Sequence, residues 1–403
     1  MLTEPNHAGG DRWPDAGASD RWDAVIVGGG AAGLTLLAHL AASDWRDRRV
    51  LLVDRDERPS EHRIWAYWST SPAAAGNPLA GAETLTWGRL AVHAAGHTHL
   101  LDPAPYTYRL VTGRDLLRVA DALAATAPGF ARATAAVLAI DDGQGPVNVA
   151  LHGGRVLRAD WVFDSRPPAA ARPGEVAMRF LGQEIAASRP VFDPTIATFM
   201  DFRAGTAGRV RFGYTLPLSP THALVEIAEF ADPTLDDGPD AAALERYLTQ
   251  TYPATDWRTL RQEHGELPLR PPPRQRGSGR VLPVGLPGGL LKPSTGYAFS
   301  RIVRDTAAIT GSLVCHGHPF ALPVRRARHR LLDQVLLQVV RDEPERIEAA
   351  FARMFTGNPT RRVLRFLDED TSTGEEIRLA ATLPMGAFLR AARRVAVDRR
   401  AAR

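Results

Sequence analysis

Three glycines near the start of the chain have the spacing of a phosphate-binding turn. Gly28, Gly30 and Gly33 follow a short apolar run and open a helix-like segment. The first glycine permits a tight turn, the second lets the backbone approach a pyrophosphate, and the third allows close packing of helix on strand. Asp54 ends the next apolar run, where it can accept hydrogen bonds from ribose hydroxyls. The segment therefore predicts a dinucleotide site.

Two carboxylates lie in an otherwise apolar strand-like segment, HALVEIAEFA. Side chains alternate along a strand, so Glu226 shares one face with Leu224 and Phe230, whereas Glu229 shares the other face with Ile227. Burial disfavours a charged carboxylate and raises its pKa, which keeps a proton available for general acid catalysis near neutral pH. Periodicity does not choose between the two glutamates, and an edge strand with two solvated glutamates is the alternative.

The elements around the glycine turn indicate which dinucleotide binds. An aromatic loop, RIWAYWS, a helix from about Gly113 and a meander ending in VFDSR follow Asp54. Nicotinamide dehydrogenases usually continue directly into alternating strands and helices, whereas an inserted meander is typical of large FAD-binding flavoproteins. We therefore predict an α/β fold, Rossmann-like and FAD-binding, of the glutathione-reductase and hydroxylase type, with a β-sheet substrate domain and a helical C-terminal region. The predicted boundaries are a disordered tail at 1–20, an FAD-binding domain at 21–171 and 265–320, a substrate domain at 172–264 and the helical region at 321–403.

The only lysine of the chain, Lys292, precedes a Pro-Ser-Thr-Gly turn and a helix-like run. In flavoprotein folds of this type, a second glycine-rich segment brings a helix N-terminus to the flavin ring. A helix starting near Ser294 would aim its positive end at the isoalloxazine, and Lys292 would add charge, so both would favour a reduced, anionic flavin. The alternative is a solvated lysine left by an arginine-rich composition.

Bulk composition and charge limit the cellular compartments and the binding partners that the protein can have. The 403 residues are 44% hydrophobic and 23% charged, and the single cysteine rules out an intramolecular disulfide and favours a reducing compartment.

The uncharged run 24–42 is long enough to cross a membrane, but a strand, a glycine turn and a buried helix explain it better. After Pro384 the chain reads as a basic amphipathic helix that could contact a membrane surface. Cys315, His316 and His318 have no fourth ligand at useful spacing, so no metal site is predicted.

Several motifs together resemble the bacterial lycopene beta-cyclases, flavoproteins of carotenoid synthesis. Beyond the glycine turn they are RIWAYWS, PVFDPTIATFMDFR, RFGYTLPLSPTHALVEIAEF, HGELPL, GGLLKPSTGYAF, FARMF, RFLDEDTS and LPMGAFLRA. The resemblance spans about residues 23–390. It implies an FAD that a nicotinamide cofactor, NAD(P)H, reduces, and the isomerisation of linear lycopene to β-ring carotenes without net redox change. It also selects Glu226 over Glu229 as the acid. One departure is Met178, where the family pattern suggests glutamine.

The implied chemistry assigns roles to further residues. A hydrocarbon substrate can react only through protonation of a double bond, so an acid and a dry pocket that stabilises a carbocation are required. Asp201 is the second acid candidate, although it can instead pair with Arg203 or Arg63. Predicted cofactor contacts beyond the glycine turn and Asp54 are Arg63, Lys292, Ser294, Thr295, Gly296 and Tyr297. Predicted aromatic walls, each of which ordinary core packing would also explain, are Trp65, Tyr67, Trp68, Phe202, Tyr214 and Tyr297.

Two other function classes share the predicted fold. An FAD-dependent monooxygenase or a polyprenyl or carotenoid reductase would consume oxygen or nicotinamide stoichiometrically, and a non-enzymatic carotenoid-binding protein could dispense with the glycine turn and the acid. The expected partners are lycopene and related carotenoids, together with a membrane surface and no nucleic acid. We expect a cytoplasmic protein that associates peripherally with the inner face of the cell membrane.

Overall fold

The structure, a computed structural model, describes most of the chain as sheets covered by helices. The described residues are 20–70, 77–167, 170–206, 208–232, 238–271, 273, 276–277 and 279–401. Within them the strands are β1 (Arg21–Val27), β2 (Val50–Asp54), β3 (Ile64–Ser69), β4 (Glu83–Trp87), β5 (Arg89–Ala94), β6 (His97–Leu101), β7 (Thr107–Thr112), β8 (Phe130–Thr134), β9 (Val137–Asp141), β10 (Val147–Leu151), β11 (Val156–Asp164), β12 (Ala177–Ala187), β13 (Ile196–Asp201), β14 (Val210–Ser219), β15 (His222–Ala231), β16 (Trp257–Pro268) and β17 (Val281–Pro283). The helices are α1 (Ala31–Ala41), α2 (Gly113–Ala124), α3 (Ala241–Thr251), α4 (Phe299–His316), α5 (Ala327–Asp342), α6 (Ile347–Thr356), α7 (Thr360–Leu367), α8 (Thr373–Ala380) and α9 (Met385–Ala401). The predicted tail at 1–20 lies, apart from Asp20, outside the described residues.

The first sheet carries the glycine turn. Its strand order is β8-β2-β1-β11-β10-β9, and β17 also pairs with β11. Strands β8, β2, β1, β11 and β17 run parallel, while β9 and β10 form the antiparallel meander. β1 is apolar on both faces, as expected for a strand that is covered on both sides. Ala24 and Ile26 pack against α1, α2 and α4, whereas Val25 and Val27 share a hydrophobic cluster with residues of β10 and β11. This arrangement confirms the predicted Rossmann-like α/β fold with an inserted meander.

The second sheet is built from strands of distant segments. Its order is β16-β12-β15-β14-β13-β5-β6, so β5 and β6 join it from the region between the glycine turn and the meander. A small third sheet, β3-β7-β4, connects the two large ones. Trp65 and Tyr67 of β3 pack in the cluster under the helices of the first sheet, whereas Trp68 packs in the core of the second sheet, so the aromatic RIWAYWS segment lies between the two cores.

Two different layers cover the faces of the second sheet. On one face, helix α3 packs its Leu244, Tyr247 and Leu248 against Val225 and Ile227 of β15. The other face packs against the C-terminal helices α5 to α9 and the turn at 292–297. Because side chains alternate along β15, Glu226 belongs to the face toward the C-terminal helices.

The helix after Lys292 begins later than the sequence predicts. It starts at Phe299 and not near Ser294, because the intervening residues form a closed turn. The Lys292 carbonyl accepts from the backbone N–H of Thr295 and of Gly296, and the Lys292 N–H donates to the Tyr297 carbonyl at 2.9 Å. Gly296 has φ of +74°, a left-handed conformation that interrupts a helix. The turn, and not a helix N-terminus, therefore presents Tyr297 to the second sheet.

The C-terminal region is helical, and α9 begins directly after Pro384 as predicted. α9 packs along α5, where Arg390 pairs with Glu343 and Arg394 with Asp342. Across the described residues, every helix is too short or too polar to span a bilayer.

Candidate active site

The glycine turn leaves an open space in front of helix α1. Gly28 has φ of +95°, and a Cβ on Gly33 would lie 1.9 Å from the Gly28 carbonyl oxygen, so both positions need glycine for the fold itself. Gly30 differs, because a Cβ there would meet no protein atom closer than Ser60 Oγ at 3.8 Å. The space beside Gly30 lies at the N-terminus of an 11-residue helix, which is suited to a pyrophosphate.

Asp54 lies at the end of β2 and holds the glycine turn. Its Oδ2 accepts from the Gly29 N–H at 2.6 Å, and its Oδ1 accepts from the Asp56 N–H at 2.8 Å. Each carboxylate oxygen keeps a second lone pair, so hydrogen bonds from ribose hydroxyls remain open to it. The turn and Asp54 together fit the phosphate and ribose of a dinucleotide.

A polar cleft of about 860 Å³ lies between α2, β8 and the segment that follows Asp54. Its lining mixes both charge signs: Glu57, Arg58, Glu61, Arg114, Arg118, Asp121 and Arg132. Cleft and glycine turn lie at the carboxyl edge of the parallel strands, where open α/β sheets bind their ligands. The predicted cofactor residue Arg63, in contrast, is an exposed side chain at the start of β3.

Lys292 is buried and paired with two carboxylates of the C-terminal region. Its Nζ lies 2.7 Å from Asp333 Oδ1 and 3.1 Å from Glu369 Oε1. Although burial works against the charged form of Glu369, the hydrogen bond from Arg325 and the charges of Lys292 and Arg301 hold its pKa well below the usual range. The ammonium of Lys292 therefore anchors the turn to α5 and to the segment after α7, and its place beside the cofactor stays a prediction.

Three tyrosine hydroxyls meet beside Glu226. Tyr214 lies directly opposite Glu226 in the β14–β15 ladder, so their side chains share a face. The Tyr108 hydroxyl contacts that of Tyr214 and lies 3.0 Å from that of Tyr297. Burial raises the pKa of all three phenols above the usual value, so they are neutral donors over the working range of pH. Sequence analysis missed Tyr108, because its partners lie 106 and 189 residues away.

Glu226 is held as a neutral acid. Burial raises its pKa to about 8, and the negative charge of Glu263 adds to the shift. Protein surrounds the carboxyl group closely, yet part of the side chain remains accessible to a water-sized molecule, as do parts of Phe180, Tyr214 and Tyr297. These half-buried side chains border the space between the second sheet and the turn. Among the described residues, no cation lies within ion-pairing distance of Glu226. It can therefore carry a proton at neutral pH.

The two rival carboxylates lie on the opposite face of the sheet. Glu229 is fully buried and pairs with Arg211 at 2.5 Å and with Arg209 at 3.2 Å. Asp201 is also buried, binds Arg203 through both oxygens, and accepts from the Tyr247 hydroxyl at 2.8 Å. Both carboxylates therefore have arginine partners, whereas Glu226 has none among the described residues. Geometry thus separates Glu226 from Asp201 and Glu229.

The predicted aromatic residues divide between two places. Trp65 and Tyr67 point toward the first sheet and pack on Phe299 at the start of α4, with ring centroids 5.7 and 5.0 Å from it. Trp68 points the other way, 5.1 Å from Tyr297. Phe202 packs with Phe212 and Phe351 near α6.

A small apolar cavity of about 20 Å³ lies between the turn and the C-terminal helices. Its lining is mainly aromatic and consists of Phe199, Met200, Phe212, Phe230, Ser294, Thr295, Tyr297, Phe351 and Leu367. Ser294 and Thr295 therefore line this cavity from the turn, while Gly296 packs on β12, where a Cβ would lie 2.6 Å from Met178 Sδ. The sulfur of Met178 thus occupies the space beside the glycine, which places the departure from the family pattern at the turn.

Comparisons with known proteins agree with this geometry. The family model described as lycopene cyclase protein matches residues 23–393. A lycopene beta-cyclase of Paracoccus sp. (strain N81106 / MBIC 01143) is 28% identical over 91% of this chain and 96% of its own length. A lycopene beta-cyclase of Pantoea ananas is 30% identical over 70% of this chain and 72% of its own.

Solved structures show the same fold at low identity. A flavoprotein/dehydrogenase from Cytophaga hutchinsonii superposes with a TM-score of 0.62 at 14% identity, over 92% of this chain and 98% of its own. A geranylgeranyl bacteriochlorophyll reductase-like protein from Thermoplasma acidophilum covers the same shares with a TM-score of 0.60 at 12% identity. These likenesses confirm the flavoprotein-type fold that the sequence predicts.

Proposed function

Because the chain belongs to the lycopene cyclase family, we propose that it is a lycopene beta-cyclase that uses FAD in its reduced form without consuming electrons. The observation that carries the proposal is Glu226, an acid without a cation partner among the described residues, which lies beside neutral tyrosines and between the buried Leu224 and Ala228 of β15. FAD fits the glycine turn, Gly28, Gly30, Gly33 and Asp54. In its reduced form the flavin would supply negative charge that stabilises a carbocation.

The proposed reaction starts with proton transfer from Glu226 to the terminal double bond of a linear end group. The resulting tertiary carbocation accepts the electron pair of the neighbouring double bond, and the new carbon–carbon bond closes a six-membered ring. Loss of a ring proton to the Glu226 carboxylate then forms the ring double bond. Substrate and product are isomers and the acid is regenerated, so the sequence balances without an oxidant or reductant.

The side chains around Glu226 suit this charge development. Tyr214 and Tyr297 bring aromatic faces and neutral hydroxyls next to the acid, and Trp68 packs on Tyr297. Aromatic faces attract cations, most strongly where water is excluded. The cavity of about 20 Å³ is far smaller than a carotenoid end group, so an end group could occupy this cavity only if the residues of the turn at 292–297 or of α6 and α7 that line it moved aside.

We expect cyclisation to need reduced flavin but no stoichiometric reductant. The purified protein with FAD is reduced by dithionite under anaerobic conditions, without nicotinamide, and supplied with lycopene in detergent. Cyclic carotenes should accumulate over many turnovers per flavin, whereas the oxidised enzyme should be inactive. NAD(P)H should replace dithionite as the reductant in catalytic amounts. Consumption of one NAD(P)H or one oxygen per product would instead identify a reductase or a monooxygenase of this fold.

We further propose that α9 contacts the inner face of the cell membrane. Met385, Leu389 and Val397 are 44%, 51% and 63% exposed along α9, and Arg393 and Arg400 lie on the exposed side among them. Exposed apolar residues interleaved with arginines suit an anionic lipid surface, and lycopene itself dissolves in lipid.

The membrane contact predicts loss of vesicle binding when α9 loses its apolar side chains. Leu389→Asp combined with Val397→Asp should reduce co-sedimentation with vesicles of equal phosphatidylglycerol and phosphatidylcholine at least about tenfold, because each change removes apolar burial and adds repulsion. Leu138→Asp is the matched control, since Leu138 is 63% exposed on β9. Equal binding by the wild type and the α9 variant would contradict the assignment.

A further inference from the structure

A second carboxylate converges on Glu226 across the sheet. In the ladders of β16, β12, β15 and β14, Glu263, Gly182, Glu226 and Tyr214 are consecutive neighbours and share one face. A Cβ on Gly182 would lie 3.3 Å from Glu226 Oε2 and 3.4 Å from Glu263 Cγ. Gly182 adopts no left-handed backbone conformation, so the turn geometry that explains many glycines does not explain this one. Its missing side chain instead leaves room for the two carboxyl groups.

The two carboxylates have different partners. Glu263 pairs with Arg261 at 3.1 Å, and Arg261 is itself fixed by Glu184 at 3.1 Å and by the His62 carbonyl at 2.6 Å. Glu226 has no such cation among the described residues. Two carboxylates at close range do not ionise together at low cost, so the proton stays on the one without a cation.

We propose that Glu263 is a positioning residue that keeps the reacting proton on Glu226, with Gly182 as the gap that lets the two carboxyl groups approach. The inference rests on the proposed cyclisation, in which Glu226 must be protonated before each turnover. Glu263 touches neither substrate nor the reacting carbons; it acts by its charge through Glu226. Arg261 has the complementary task of pairing with the Glu263 carboxylate.

The tyrosines that face Glu226 do not titrate in the relevant range, and the charged groups on the same face, Glu184, Arg261 and His222, lie further from it along the sheet than Glu263 does. Tyr214 faces it from β14 and Tyr297 from the turn, with Tyr108 of β7 behind them, and burial raises the pKa of each. His222 of β15 lies further along the sheet, 2.9 Å from Glu184. The charge of Glu263 is therefore the neighbouring charge beside Glu226 that a single substitution can remove.

Glu263→Gln should shift the pH profile of cyclisation. Without the nearby anion the Glu226 carboxylic acid gives up its proton more readily, so the alkaline limb of the profile should move to lower pH by about one unit. At acidic pH, where Glu226 is protonated in both proteins, the two rates should agree within about threefold. Glu263→Asp keeps the charge and should restore a profile close to the wild type.

Glu184→Gln is the matched control: Glu184 pairs with the same arginine on the same face, but it lies opposite Leu224 and not opposite Glu226, whose pKa is raised by burial and by Glu263. Its profile should coincide with that of the wild type. A Glu263→Gln profile that also coincides with the wild type would overturn the proposal.

A second measurement does not depend on turnover. Infrared titration of the full-length protein, with the Glu226 carboxylic acid band identified by its loss in Glu226→Gln, should show the midpoint shifted downward in Glu263→Gln. An unshifted midpoint would refute the coupling even if cyclisation proceeds as proposed. Activity of Glu226→Gln would refute the acid role while leaving the measured coupling intact.

Discussion

Gly30→Val is expected to give a folded protein that has lost its flavin. The added Cβ meets no protein atom closer than 3.8 Å, and the backbone at Gly30, with φ of −75°, accepts any residue. The valine methyl groups would instead fill the space in front of α1 where a pyrophosphate would bind. An overlap of this kind costs about 3 kcal/mol, so affinity for FAD should fall roughly 100-fold.

Flavin absorbance near 450 nm relative to protein absorbance, after gel filtration in buffer without free FAD, measures this loss. Gly311→Val is the matched control, because Gly311 lies on the exposed side of α4 with no neighbour within 4 Å of an added Cβ. Gly33→Ala should fail differently, by misfolding, since its Cβ would lie 1.9 Å from the Gly28 carbonyl oxygen. Circular dichroism separates the two failures, and a Gly30→Val protein with full flavin content would refute the site.

Local patterns carried the parts of the site that sequence analysis could predict. The glycine turn follows from three residues within six positions, and the strand, turn and helix around it are consecutive in the chain. Alternation along β15 likewise placed Glu226 and Glu229 on opposite faces, as the structure shows them. Alternation could not show which face carries arginines, because Arg209 and Arg211 reach Glu229 from the neighbouring strand.

Long-range contacts decided what the sequence could not show. The sequence predicted that Lys292 supplies charge to the cofactor, because it does not reveal the carboxylates that pair with this lysine. Those partners lie 41 and 77 residues further along the chain. The late start of α4 depends on the Lys292 carbonyl and on the conformation of Gly296, which composition does not reveal. The same limit hid Tyr108 and the approach of Glu263 to Glu226, since both depend on strand register.

Glu226→Gln is expected to abolish cyclisation while leaving the fold and flavin binding intact. Glutamine keeps the size of the side chain and removes its acidic proton, and the lycopene hydrocarbon can react only after protonation. General acids typically contribute roughly 10²- to 10⁴-fold in rate, and we expect the upper end, because the hydrocarbon offers no other route to the carbocation. Carotenoid chromatography after incubation with reduced flavin measures the rate.

Glu229→Gln and Asp201→Asn are the controls, because these carboxylates lie on the α3 face in ion pairs. Both variants should cyclise lycopene at rates within about tenfold of the wild type, corrected for the fraction of folded protein. Their expected defect is in stability, since each substitution leaves an arginine without its carboxylate partner. Near wild-type cyclisation by Glu226→Gln would refute the acid role.

A stability measurement checks the same proton without substrate. The pKa of Glu226 is about 8 in the folded protein against 4.5 for an ordinary glutamate, so the folded state binds this proton more tightly. The stability that the proton contributes is fully present below about pH 4.5 and is lost as the pH rises through about 8. Glutamine cannot ionise, so Glu226→Gln should melt at the same temperature as the wild type at acidic pH, and at pH 9 roughly 2 °C or more above it. A melting difference independent of pH would mean that Glu226 is already ionised in the folded enzyme, and the reaction would then need another source for its first proton.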